Sequence, residues 1–244
     1  MVFGTIWQIY LPFTALAIVQ ANSAVENEMQ NTLSRRHLLK WSGTAGAVMV
    51  AGSLLPNFGI TAAMAADLGE GDVGILNYAY ALEQLEAAFY SQVIDTPYAD
   101  ITAEETALLT DIRDHEVAHR DFLKEALADG AIPALEVDFS AVDFTDRASV
   151  LGTAMVFEDL GVSAYNGAGK LIEDVAYLAE AGRIVSVEAR HAAAIRDLLN
   201  PNSVSFAGDD VIDENGLDVV NDPATVLKAA DPFITTEVTA MSLV

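Results

Sequence analysis

At 244 residues, 52% of them apolar, the chain is long enough for one large domain or two small ones around a sizeable core. Its 36 acidic residues against 12 Lys and Arg give a formal net charge of −24, and the bases are scattered, which excludes nucleic acid as a partner because binding phosphate requires a basic patch. There is no cysteine, so disulfides, thiolate metal sites and iron–sulfur clusters are excluded, and any metal must be held through oxygen and nitrogen.

Residues 1–65 read as an address rather than a fold. Ser34-Arg35-Arg36-His37-Leu38-Leu39-Lys40 resembles the twin-arginine export signal, a mildly apolar run rich in Gly and Ala follows from Trp41 to Ile60, and Ala63-Met64-Ala65 has the pattern of a cleavage site. Charge pair, apolar run and small-residue site in this order predict export of a folded chain by the twin-arginine machinery of a bacterium or archaeon. The mature protein would begin near Ala66 and be periplasmic or extracellular. A chance Arg pair ahead of a buried helix is the plainer alternative. Residues 2–20 are a second apolar run without a basic residue, and Met29 stands five residues before Ser34. Residues 1–28 therefore read as an over-extended gene start, with a membrane anchor barely long enough to span as the other reading.

The next element is a helix over 72–94, which includes Leu76–Tyr90 with Glu83 and, seven residues on, Tyr90. Asp95–Asp100, with Pro97, is a turn by composition. Thr102-x-x-Glu105 is a capping box that opens a second helix over 103–128, which carries Glu116-Val-Ala-His119 and ends at Asp129-Gly130. Residues 131–145, with Pro133, have no helical period and are long enough, at about 3.3 Å per residue, to run the length of a bundle.

A third helix, 146–171, repeats the first: Leu151–Tyr165 aligns with Leu76–Tyr90 at an offset of 75, matching Glu158 to Glu83 and Tyr165 to Tyr90. A fourth, 174–199, repeats the second with Glu188-Ala-Arg-His191 at an offset of 72, and Asn200-Pro201 ends it. If the ligands of one hairpin lie at one level, its turn falls midway between them. That places the second turn at 172–174 and leaves Gly182 inside the fourth helix, at a cost of about 1 kcal/mol. Residues 201–244 form an acidic tail with a short helix over 224–230 and apolar Phe233-Ile234, expected to pack on the outside of the bundle. The fold class is thus all-α: a four-helix bundle over 66–200 of two helical hairpins joined by a long crossover.

The unit Glu, then Glu-x-x-His, used twice, supplies four carboxylates and two imidazoles: Glu83, Glu116, His119, Glu158, Glu188 and His191. Residues three apart on a helix differ by about 60° and project to one side, so each Glu-x-x-His presents two donors inward while Glu83 and Glu158 each cap one ion. This is the set with which a helical bundle holds a pair of iron or manganese ions. A lone Glu would be a surface charge; the repetition is what carries the metal reading. Apolar Leu82, Leu85, Phe89, Phe157 and Leu160 make burial of the set plausible.

The repeat also marks residues without a counterpart. Glu86 corresponds to Gly161 and His115 to Val187. Glu86 is open to three readings, a seventh ligand, a residue that admits cations, or a solvated charge; His115 reads as a satisfied polar residue between helices or as a side chain at the rim of the site. Tyr90 and Tyr165 are read as packing and hydrogen-bonding across the bundle, with a role beside the ligands as the alternative. Arg190 and Arg196 are expected to face solvent or pair with acids, Arg190 also lying close enough to His191 to support it.

At these residues the chain resembles the ferritin-like superfamily, and specifically its exported bacterial members related to the plant desiccation-related proteins. The segments LEQLEAAFY, DHEVAHRDFL, FEDLGVSAYNGA and VEARHAAAIR carry the resemblance, which spans roughly 72–235. It implies that the superfamily's ligand positions fall on the six residues named, with none missing. Superfamily relatives include iron-storage cages, peroxide-reducing enzymes and manganese catalases, and the exported subgroup implies no single activity.

Two functions follow as expectations. One is a di-metal oxidoreductase acting on peroxide, dioxygen or Fe(II) outside the cytoplasm, its partners being metal ions and small oxidants. The other is a non-enzymatic exported bundle that protects against stress or desiccation, consistent with the −24 charge. The acids read first as a solvated surface, with gathering of cations toward the site as the alternative. A cage-forming iron store is a weaker third reading. Iron versus manganese, the reductant and assembly into a homo-oligomer stay open.

Overall fold

The computed structural model describes residues 65–240 and Leu243. The twin-arginine motif, its apolar run and residues 1–28 lie outside the described residues. Four long helices dominate: α1 (Gly71–Asp95), α2 (Ala103–Leu127), α3 (Arg147–Gly169) and α4 (Val175–Leu199), followed by a short α5 (Pro223–Ala230). Two strands of two residues each, β1 (Ala66–Asp67) and β2 (Val238–Thr239), pair in parallel. Among the described residues no helix is long and apolar enough to cross a membrane.

Helix starts follow local chemistry. Thr102 Oγ1 accepts from the Glu105 amide at 3.1 Å and the Glu105 carboxylate accepts from the Thr102 amide at 3.0 Å, the expected capping box of α2. Asp146, Asp174 and Asp222 cap α3, α4 and α5 by accepting from first-turn amides. The α3–α4 turn falls at residues 170–174, and Gly182 lies in mid-helix. Asp72 at the start of α1 accepts from the Glu173 and Asp174 amides at 2.8 Å each and so anchors that turn.

α1 packs on α2, α3 packs on α4, and α1 against α3 joins the two hairpins. α1 is apolar on most of its circumference and correspondingly buried from Gly74 to Ala87, whereas α2 and α4 bury one stripe and expose charges on the other. The crossover from α2 to α3 runs along α1. It begins where Asn77 donates to the Gly130 carbonyl and accepts from the Ile132 amide, passes Gln84, which accepts from the Leu135 amide, and ends where the Ala99 amide donates to Thr145. Phe139 and Phe144 from this segment pack on Phe89 and Phe157 beneath it. Edge-to-face aromatic pairs contribute about 0.5–1.5 kcal/mol each beyond the area they bury.

The tail is more deeply integrated than an outer covering. Val226 and Ala230 are fully buried, Phe233 meets Phe157 edge to face at 4.8 Å, and Ile234 bridges to Val137 of the crossover. The tail also crosses α3 so closely that a Cβ on Gly167 would lie 1.7 Å from the Asn221 carbonyl oxygen, and β2 then closes on β1. The crossover leaves apolar area that α1 and α3 alone do not cover, and the tail supplies the missing side chains.

Candidate metal centre

Midway along the bundle, α1 contributes Glu83, α2 contributes Glu116 and His119, α3 contributes Glu158, and α4 contributes Glu188 and His191. All four glutamates are 0% exposed. Their atoms form two overlapping sets, Glu83, Glu116, His119 and Glu188 in one, Glu116, Glu158, Glu188 and His191 in the other, each with its donors within 4.8 Å of one another. Glu116 and Glu188 belong to both. The sequence-predicted six therefore all converge, with one Glu and one His belonging to each set alone and two Glu common to both.

His119 Nδ1 lies 2.8 Å from Glu188 Oε1, 3.5 Å from Glu83 Oε2 and 3.6 Å from Glu116 Oε2. His191 Nδ1 lies 2.8 Å from Glu116 Oε1, 3.5 Å from Glu158 Oε2 and 3.7 Å from Glu188 Oε2. These are ion-pair distances without hydrogen-bond directionality. Both oxygens of Glu116 and Glu188, Oε2 of Glu83 and Glu158, and Nδ1 of both histidines are buried without a hydrogen-bond partner. Buried polar atoms are nearly always hydrogen-bonded, whereas the contacts of these eight are ion pairs with one another. Eight such atoms pointing at one place fit a pair of divalent ions held by oxygen and nitrogen.

Without metal, protons occupy this charge balance. Burial pushes Glu158 up to about 8, and burial together with the charge of Glu188 raises Glu83 well above the carboxylate range. Burial would also lower both imidazoles, but the carboxylates around them prevail and hold His119 and His191 up at about 12. Burial likewise opposes ionisation of Glu116, yet its contacts with His119 and His191 hold it down at about 2.

The two tyrosines hydrogen-bond across the bundle, as their spacing predicts. Tyr90 Oη donates to Glu158 Oε1 and Tyr165 Oη donates to Glu83 Oε1, each at 2.5 Å. Each half's tyrosine thus clasps the other half's glutamate on the oxygen turned away from the cluster, leaving Oε2 directed inward. The repeated Glu-x6-Tyr was the sequence signal for this arrangement, but pairing across the repeats is a tertiary fact.

Among the residues without a counterpart, Glu86 is buried rather than solvated and lies outside both donor sets. It occupies the space left by its repeat partner: a Cβ on Gly161 would sit 3.1 Å from Glu86 Oε1. Burial first, then the neighbouring Glu116, Glu188, Glu158 and Glu83, push its carboxyl well above the usual range. His115 meets His191 at the rim, Nδ1 to Nε2, at 3.0 Å. Arg190 folds back on Ser186 of its own helix. Arg196 is buried, not solvent-facing, and makes bidentate pairs with Asp159 and Asp210, tying the tail to α3 and α4.

Two hairpins, a crossover along the bundle and a doubled Glu and Glu-x-x-His set define one architecture. The model of the ferritin-like domain matches residues 71–201, more than half of the chain. The chain belongs to the ferritin-like family. Among curated proteins no match is found. The family match covers α1 to α4 and stops where the tail begins, so it includes every donor of the cluster but not the segment that seals the crossover.

Proposed function

We propose that this ferritin-like protein holds two iron or manganese ions and is an oxidoreductase acting on peroxide, dioxygen or Fe(II) outside the cytoplasm, after export by the twin-arginine machinery. The observation that supports it most is the set of eight buried donor atoms without a hydrogen bond, in two sets that share Glu116 and Glu188. A bound pair of such ions supplies Lewis acidity and electron transfer to a small oxidant. Around it, Glu83 with His119 and Glu158 with His191 would hold one ion each, and Tyr90 and Tyr165 fix the orientation of the outer carboxylates. Leu82, Leu85, Phe89 and Phe157 exclude bulk water. Glu86 places a further buried carboxyl beside the cluster, its ionisation opposed by burial.

Metal content of the folded, exported protein tests this reading. About two iron or manganese ions per chain, lost in Glu116→Ala, followed by metal-dependent turnover of peroxide or Fe(II), is the expected result. The non-enzymatic protective reading keeps one specific support: His119 and His191, held protonated, offset the buried glutamates without metal. Metal-free protein that stays folded and turns over neither substrate would select it, along with the relationship to desiccation-related proteins.

A further inference from the structure

The donors obey the repeat but their surroundings do not. His191 Nε2 lies 3.0 Å from His115 Nδ1, and the two ring planes are within 8° of parallel with centroids 5.2 Å apart. Nitrogens this close cannot belong to rings stacked face to face at van der Waals separation; the rings lie edge to edge in nearly one plane, the geometry of an N–H···N hydrogen bond. At the equivalent place the repeat has Val187, and among the described residues no protein group pairs with His119 Nε2. The His119 side chain is also the more open, 13% exposed against 5% for His191.

On the di-metal reading above, we propose that His115 is a positioning residue that makes the two metal positions unequal, so that the position of Glu158 and His191 fills first and releases last. A ligand bond at His191 Nδ1 leaves the ring proton on Nε2, where it is donated to His115 Nδ1. His115, an exposed residue of α2, then turns its remaining N–H to solvent. This hydrogen bond fixes both the tautomer and the ring angle of His191 and raises the basicity of its donor atom. His119 has only its packing to hold it, so the position it shares with Glu83 is the weaker and the more exchangeable.

Cobalt(II), which accepts the same oxygen and nitrogen donors, is the probe: it is titrated into the folded, metal-free protein while heat and visible absorption are followed. Wild type is expected to bind in two separable steps. His115→Ala should weaken the first step about 10–100-fold, shift the absorption of the first-bound cobalt and leave the second step unchanged. His115→Asn, which keeps an acceptor near the Nδ1 position, should restore part of the loss, and Val187→His should tighten the second step. Two indistinguishable steps in wild type, or a His115→Ala variant that weakens both steps equally or neither, would overturn the proposal. Failure of wild type to take up any cobalt would instead overturn the di-metal reading on which it rests.

Discussion

In the first hairpin Glu83 is followed one turn on by Glu86, and Glu116 is preceded by His115; in the second hairpin the same places hold Gly161 and Val187. Glu86 fills the space over Gly161, and His115 reaches across to His191. The six donors and two tyrosines are duplicated, while the residues next to them are not. On the di-metal reading, symmetry is required where two ions of the same kind would be matched, since each would need its own Glu and His and a share of the two central carboxylates. One step outward, that demand lapses. An extra buried carboxyl needs a glycine opposite it, an extra imidazole reaches a ring across the bundle, and the chain makes each addition once.

The strongest way to break the comparison is to remove donors from different roles. Glu188→Ala deletes a residue common to both sets and should take metal from about two per chain to none. Glu83→Ala deletes a residue of one set and should leave about one. Equal losses, read by mass spectrometry, would show that the two central glutamates are not shared. The tyrosines sharpen it next: Tyr90→Phe should weaken the Glu158 position and Tyr165→Phe the Glu83 position, each by about 10–100-fold and each in a single step of a metal titration.

pH gives a third comparison, between metal-free and metal-loaded protein. Glu158 sits near 8 when folded against an ordinary value of 4.5, and Glu83 is shifted in the same direction. The folded state therefore binds more protons than the unfolded one, and the metal-free protein should lose stability as pH rises from about 4.5 to about 8. The imidazoles add to this: their contribution is complete below their ordinary 6.5 and is lost as pH rises toward about 12. Glu116, held near 2, acts only on the acid side, its contribution being lost as pH falls below 4.5. Metal must displace the ring protons, so its binding should strengthen with pH and the loaded protein should show the opposite trend over the same interval. Urea unfolding at pH 5 and pH 8, with and without metal, checks the sign; a metal-free protein more stable at pH 8 would show that the buried carboxyls are not held protonated.

The smallest effect concerns the helices themselves. Gly182 of α4 stands where α2 has Thr110, and a Cβ there would meet nothing within 4 Å. Gly182→Ala should raise stability by about 1 kcal/mol, measurable as a shift in the urea midpoint, with metal content unchanged.

Much of this was legible in one dimension. Placing each turn midway between a hairpin's ligands predicted helices within two residues of those observed and kept Gly182 inside α4, against its local preference as a breaker, because ligands that share a site must be level. Thr102-x-x-Glu105 and the repeated Glu-x-x-His are similarly local: capping and the 3.6-residue period act within a turn or two. The sequence predicts the tail as an outer covering because its apolar residues, Val226, Ala230, Phe233 and Ile234, are too few and irregular to announce a core. They join one only against the crossover and α3. The spacing predicts that Tyr90 and Tyr165 hydrogen-bond across the bundle, but not which group each meets, because each partner is a glutamate of the opposite repeat, 68 and 82 residues away.

By itself, then, the sequence determines the four helices, the two hairpins, the crossover and the six Glu and His residues that converge, because periodicity, caps and repeats are encoded within short stretches. The tertiary structure alone decides that Glu116 and Glu188 belong to both sets, that each tyrosine clasps the other half's carboxylate, that His115 meets His191 while Glu86 lies outside both sets, and that the tail joins the core. Those outcomes depend on which face of one helix meets which face of another, and that is set by packing four helices, a crossover and a tail around a shared interior.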